Sequence, residues 1–220
     1  MMLSIADVLS TAEVDDARAA LHAARFFDGR ASAGWAGQVV KVNKQAHEGD
    51  ETVDALRDLI VERLQSNLLF QLAARPKRVL GPVFSRYQTS DAYGPHADEP
   101  VMDGARSDVS FTLFLSSPES YTGGELILMT AAGDDVIKLP AGSLFVYPAT
   151  TLHQVAPVTD GERLVAVGWV RSYVRAAAQR ELLFDLDRAR RDMFERDGPS
   201  AAFNLVSKSF ANLMRMWCED

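Results

Sequence analysis

Cysteine is almost absent from this chain: Cys218 stands alone among 220 residues, so no internal disulfide can form. Third from the end of the sequence, it reads as a small apolar contact or an exposed thiol and not as a catalytic nucleophile. A run of eighteen or more apolar residues is also missing, which excludes a membrane-spanning helix. The opening Met1-Met2-Leu3-Ser4-Ile5-Ala6-Asp7 has neither the basic region nor the apolar stretch of a secretory signal. A soluble, cytoplasmic protein is expected. Positive charge is in deficit as well, with 23 Lys and Arg against 30 Asp and Glu and a formal net charge of −7. The basic residues are interleaved with acids, as in Arg188-Ala189-Arg190-Arg191-Asp192. No uniform basic footprint for a phosphate backbone results, so neither a nucleic-acid nor a membrane partner is expected.

What is present is hydrophobic material, 47% of the residues, enough at this length for one well-buried core with helical additions. Residues 11 to 27 open on Thr11 and early acids, then set Val14, Ala17, Leu21 and Ala24 at helical spacing. Val39, Val40 and Val42 favour a short strand. A second helix is predicted from about Glu51 to Phe70, where Val53, Leu56, Leu59, Ile60 and Leu64 recur every three or four residues. From Val79 to Tyr173 short β-branched and aromatic runs alternate with turn signals such as Gly81-Pro82, Gly123-Gly124, Gly133-Asp134 and Asp160-Gly161. That punctuation predicts a sandwich or barrel of antiparallel strands. Two more helices are expected, Ala176 to Arg196 and roughly Ala201 to Trp217, separated at Gly198-Pro199. The expected division is a support region at 1–77, a β-core at 78–174 and a helical extension at 175–220. Apolar positions on the terminal helices are also compatible with self-association.

Histidine is scarce, four in all, which makes its placement informative. His96-Ala97-Asp98 lies in the β-region, and His153 follows 55 residues after the aspartate. On a strand, residues i and i+2 project to one face, so His96 and Asp98 can reach one metal. Two imidazoles and a carboxylate on one face form the ligand set of non-haem Fe(II) oxygenases, with the opposite coordination positions left open. His22, on the first helix, and His47, in a polar loop, are expected outside the site. Arg163, ten residues after His153, adds a planar fork suited to a terminal carboxylate. A three-residue loop at Asp160-Gly161 would set His153 and Arg163 on one face of adjacent strands, about 13 Å apart in level.

With these residues in view, the sequence resembles the Fe(II)- and 2-oxoglutarate-dependent dioxygenases, and within them the PKHD-type hydroxylases, relatives of prolyl 4-hydroxylase. The resemblance runs through Phe84-Ser85-Arg86-Tyr87, Tyr93-Gly94-Pro95-His96-Ala97-Asp98, Arg106 to Leu115, Gly123-Gly124-Glu125-Leu126, Pro140 to Pro148, His153 to Pro157 and Gly161-Glu162-Arg163. It extends to Val39 to Gln45 and to Leu183-Phe184-Asp185-Leu186, and so covers most of the chain. It implies a mainly β fold with a double-stranded β-helix, or jelly-roll, core, braced by N-terminal helices and followed by a C-terminal helical extension. It further implies His96, Asp98 and His153 as iron ligands, Arg163 on the distal carboxylate of 2-oxoglutarate, Tyr87 near that co-substrate, and ascorbate as an activator. The implied reaction consumes O2 and hydroxylates a peptide side chain or small metabolite with release of succinate and CO2. Gly123-Gly124 reads as a structural turn, and Arg106 with Asp108 as a structural pair or part of the substrate mouth. Two other readings stay open at this level: a zinc hydrolase using the same three ligands, which gives Arg163 no role, and a jelly-roll sensor that binds iron and 2-oxoglutarate without turnover.

Overall fold

The computed structural model describes residues 1–47 and 49–219. Helices dominate its first third, which runs β1 (Leu3–Ile5), α1 (Thr11–Ala23), β2 (Phe26–Asp28), a single turn α2 (Gly37–Val40), β3 (Lys41–Val42), β4 (Lys44–Ala46), α3 (Glu51–Ser66) and α4 (Leu68–Ala74). Strand then follows strand: β5 (Pro76–Tyr87), β6 (Ala92–His96), β7 (Val101–Met102), β8 (Ala105–Arg106) and β9 (Val109–Phe114). The series continues with β10 (Tyr121–Gly123), β11 (Leu126–Thr130), β12 (Gly133–Ile137), β13 (Leu144–Pro148), β14 (Leu152–Val155), β15 (Val158–Gly161) and β16 (Arg163–Ser172). Helices α5 (Ala177–Asp197) and α6 (Ala201–Trp217) follow, and among the described residues no helix is long and apolar enough to cross a membrane.

Two antiparallel sheets form the core. The larger has the order β1-β13-β9-β16-β5-β4-β2 and the smaller the order β12-β11-β14-β6-β3. This is the expected jelly roll with helical additions. Period-2 alternation sorts each central strand of the larger sheet between two cores. Leu144 and Val146 on β13, and Leu164 and Ala166 on β16, join Val14, Leu21, Ile60, Leu64 and Phe70 of the helices on its outer face. Phe145 and Tyr147, with Val165 and the partly buried Val167, instead join Leu126, Leu128 and Val155 of the smaller sheet in the interior between the sheets. Arg163 shares the parity of Val165, so its side chain enters that interior.

Several boundaries differ from expectation. Val39 and Val40 do not extend a strand; Gln38 donates its backbone N–H to Gly34 O and its side-chain amide to Ala33 O, which closes a helical turn before the chain reaches β3. Helix α1 stops at Ala23 because Phe26–Asp28 pairs with β4. The helix expected to reach Phe70 breaks at Asn67, whose side chain accepts from the Phe70 N–H at 3.0 Å and caps a new helix. Gly81-Pro82, read as a turn, lies inside β5, where Gly81 has φ +83° opposite a register irregularity between Val167 and Trp169.

Candidate metal centre and anion pocket

Strands β6 and β14 are hydrogen-bonded neighbours, and their register sets His96 directly opposite His153. The two ring centroids are 4.3 Å apart. Each imidazole makes the same hydrogen bond to its own backbone: His96 Nδ1 to Gly94 O and His153 Nδ1 to Thr151 O, both 2.9 Å. A carbonyl can only accept, so these contacts assign the proton to Nδ1 and leave the Nε2 lone pair free in each ring. Burial, and then the neighbouring His153, lower the His96 pKa to about 4, which keeps that ring neutral and a donor of electrons at neutral pH. Asp98 reaches the pair from the coil just past the end of β6, not from the strand itself, with one carboxylate oxygen 3.9 Å from His153 Nε2. One donor atom from each of His96, Asp98 and His153 lies within 4.8 Å of the other two. The second Asp98 oxygen accepts a hydrogen bond from the Ser110 hydroxyl on β9.

Aromatic rings fix the imidazoles from outside. Tyr93 stacks on His96 with centroids 3.5 Å apart and planes 14° from parallel. Tyr147 presents its edge to His153 at 5.1 Å. Both phenols have pKa values raised chiefly by burial, so they meet the centre as neutral rings.

Arg163 enters from the opposite sheet. The expectation that it sits on a strand adjacent to that of His153 does not hold. Val158–Gly161 leaves the smaller sheet to pair with β10, and β16 then joins the larger sheet between β9 and β5. The ribbon carries the chain across the interior, so the two residues face each other across one cavity. Arg163 is 1% exposed, yet among the described residues its Nε and Nη1 have no hydrogen-bond partner, and the buried Tyr121 hydroxyl has none either. Tyr87 is the register partner of Arg163, and its ring lies 5.0 Å from the guanidinium carbon, with Phe114 at 5.7 Å. Gly124 (φ +67°) sits against the arginine stem, where a β-carbon would come within 3.1 Å of Arg163 Cδ. Gly124 therefore makes room for the arginine stem.

A cavity of about 640 Å³ contains His96, Asp98, His153, Arg163 and Tyr87 in its walls, together with Lys41. His22 instead faces Glu162 at 3.8 Å, and His47 packs edge-on to Phe27. Arg106 and Asp108 form a structural pair in which Asp108 also accepts from the Ser172 N–H.

Residues 82–171 match the 2OG-Fe(II) oxygenase superfamily. A PKHD-type hydroxylase of Picosynechococcus sp. is 48% identical over 219 residues, with both chains covered completely. The chain belongs to the PKHD-type hydroxylases. A second member, from Synechococcus elongatus, is 46% identical over 223 residues, again with complete coverage of both chains. Solved structures show the same fold at greater distance. A Pseudomonas putida prolyl-4-hydroxylase superposes with a TM-score of 0.54 at 24% identity, over 78% of this chain and 92% of its own. HygX from Streptomyces hygroscopicus, solved with nickel and 2-oxoglutarate bound, gives 0.55 at 14% identity over 79% and 84%.

Fe(II) and 2-oxoglutarate are thus the metal and co-substrate that this PKHD-type hydroxylase must accommodate, and its side chains suit both. Two free imidazole nitrogens and a carboxylate could hold the ion. Two buried guanidinium nitrogens without partners among the described residues could receive a carboxylate. Sequence reasoning singled out His96, Asp98, His153 and Arg163 and missed Lys41 and the neighbouring Ser110, Tyr93, Tyr147 and Tyr121. An aromatic three residues before His96 was a visible signal for Tyr93; nothing local marked Ser110, which reaches Asp98 only through the folded sheet.

Proposed function

We propose that His96, Asp98 and His153 hold Fe(II), that Arg163, walled by Tyr87, binds the distal carboxylate of 2-oxoglutarate, and that the enzyme hydroxylates a peptide side chain or small metabolite. The observation that carries this reading is the pairing of two Nε2 lone pairs beside a carboxylate with a partnerless buried guanidinium in the same cavity. Bound iron and 2-oxoglutarate would supply the oxidising power, with O2 converting the co-substrate to succinate and CO2 while one oxygen atom enters a substrate C–H bond. The protein's residues do the positioning. Gly94 and Thr151 carbonyls hold the imidazoles in the ligating tautomer, and Ser110 orients the Asp98 carboxylate. Tyr93 and Tyr147 restrict ring rotation, and the fork of Arg163 sets the direction of the keto-acid. Leu126, Leu128, Phe114 and Val165 keep water from the interior. A zinc hydrolase would leave the partnerless guanidinium without a purpose.

The same reading takes residues 78–174 as the catalytic core, with 1–77 and 175–220 as its support. It places the enzyme in the cytoplasm, includes ascorbate as the reductant that recovers off-cycle iron, and expects no nucleic-acid substrate, in keeping with the net charge of −7. Anaerobic addition of Fe(II) and then 2-oxoglutarate should raise a visible metal-to-ligand charge-transfer band, and Asp98→Ala should abolish it. Iron binding with no band in the wild type would refute the assignment.

A further inference from the structure

We propose that Lys41 is the receptor for a carboxylate on the primary substrate, so that the molecule oxidised in this cavity is an acid whose anionic group docks beside Tyr93. The inference rests on the iron and 2-oxoglutarate assignment above and adds the substrate class to it.

Lys41 lies on β3, the edge strand opposite Tyr93 in register, and is 6% exposed. A buried ammonium has three protons to place. One hydrogen bond is made, from Nζ to the Ser32 hydroxyl at 2.9 Å, and that oxygen donates its own proton onward to Gln45 Oε1 at 2.6 Å. Gln45 in turn donates to the Ser85 hydroxyl at 3.4 Å. The chain of donors runs away from the lysine, so it fixes the ammonium in place without neutralising it. Among the described residues no carboxylate lies within the 4.0 Å of an ion pair with Nζ. Burial lowers the Lys41 pKa to about 8, against the longer-range pull of Asp98 and Asp28, which leaves it charged at neutral pH. A buried cation held by neutral groups is costly unless an anion completes it.

The other cations of the cavity are committed. Arg57 donates to the Pro82 carbonyl and pairs with Asp54, and Arg163 answers the co-substrate from the opposite sheet. Lys41 stands on a different wall, with its Nζ 5.2 Å from the Tyr93 ring, which also stacks on His96. Its segment also forms the rim: Gly34, Ala36, Gly37 and Val40 line the cavity while Trp35 and Val39 are 87% and 82% exposed. An acid that enters past this rim meets Lys41 one ring's width from the metal ligands, a position for the primary substrate and not for the chelating co-substrate.

The test uses the anaerobic Fe(II)·2-oxoglutarate form of the wild type, Lys41→Gln and Lys41→Arg, with Lys41→Met as a second neutral variant should the glutamine variant fail to fold. N-acetyl amino acids and short alkanoic acids, each against its primary amide, are titrated while the visible chelate band is followed for a shift. A charge-assisted hydrogen bond predicts that at least one acid binds the wild type about tenfold or more tighter than its amide. That preference should vanish in the neutral variants and persist in part in Lys41→Arg, with 2-oxoglutarate affinity held. Acids and amides that act alike on the wild type, or a preference that survives loss of the ammonium, would overturn the proposal. A tenfold fall in 2-oxoglutarate affinity in Lys41→Gln would overturn it too, by assigning the ammonium to the co-substrate. Absence of the band in the wild type would instead strike the underlying iron assignment.

Discussion

Arg163→Met should separate binding from stability with opposite signs. Arg163 is 1% exposed, and two of its guanidinium nitrogens have no partner among the described residues. The aromatic faces of Tyr87 and Phe114 at 5.0 and 5.7 Å offset part of that desolvation, by roughly 0.5–2 kcal/mol each. Methionine keeps an apolar stem and discards the stranded charge, so the variant without ligands should be as stable as the wild type or more so. Binding tells the other half. Two charge-assisted hydrogen bonds to a carboxylate contribute roughly 1.5–3 kcal/mol each, so their loss weakens 2-oxoglutarate about 10²- to 10⁴-fold. Thermal melts of the Fe(II) form report both effects under argon. At 2-oxoglutarate concentrations near 100 times the wild-type dissociation constant, linkage stabilises the wild type by about 2.7 kcal/mol. For a chain of this size that is a rise of about 5–10 °C, and Arg163→Met should show almost none of it. A variant that melts with the same co-substrate-dependent rise as wild type would refute the arginine's role. A ligand-free variant destabilised by several kcal/mol would refute the claim that the charge is stranded.

Ser110→Ala removes the hydroxyl that orients Asp98, and Fe(II) affinity by competition with a chelator should fall about 10- to 100-fold while the fold persists. Phe111→Ala empties a site 1% exposed and packed edge-to-face on Phe70 at 6.0 Å; urea unfolding should show a loss of about 3–5 kcal/mol. Glu13 closes the capping box of α1 with Ser10 and pairs with Arg63, contacts that depress its pKa from 4.5 to about 2. A depressed carboxyl pKa stabilises the fold above its unfolded value and loses that contribution as pH falls from about 4.5 toward 2. Glu13→Gln should therefore be less stable than wild type at pH 7, with the difference shrinking at pH 3; a difference that grows on acidification would contradict the cap.

The legible parts of this chain were those set by local chemistry. Helix α6 runs from Ala201 to Trp217 as its composition and the Gly198-Pro199 break predict. The strand region was legible from its punctuation, and rare residue types pointed to the three side chains, His96, Asp98 and His153, that the fold groups together. Register between distant strands was not. His153 meets His96, and Arg163 meets Tyr87, only because the β-pairings bring them opposite each other, and sequence spacing carries no record of which strands become neighbours. The Asp160-Gly161 turn was read as a simple hairpin between β14 and β16, whereas the ribbon β10-β15 transfers the chain between sheets. Val39 and Val40 failed for a different reason: β-propensity expresses packing on a pleated surface, and here Val39 is 82% exposed while the helical turn closed by Gln38 sets the backbone of both.

The two sheets divide the labour of the site. His96 and His153 belong to the smaller sheet, Arg163 and Tyr87 to the larger. Under the proposed assignment a co-substrate would reach from the histidines of one sheet to the arginine of the other, so the spacing between the sheets would act as a ruler for its length. Succinate keeps a carboxylate at each end but is a carbon shorter and lacks the keto oxygen, so it would fit that ruler less well than the molecule it replaces.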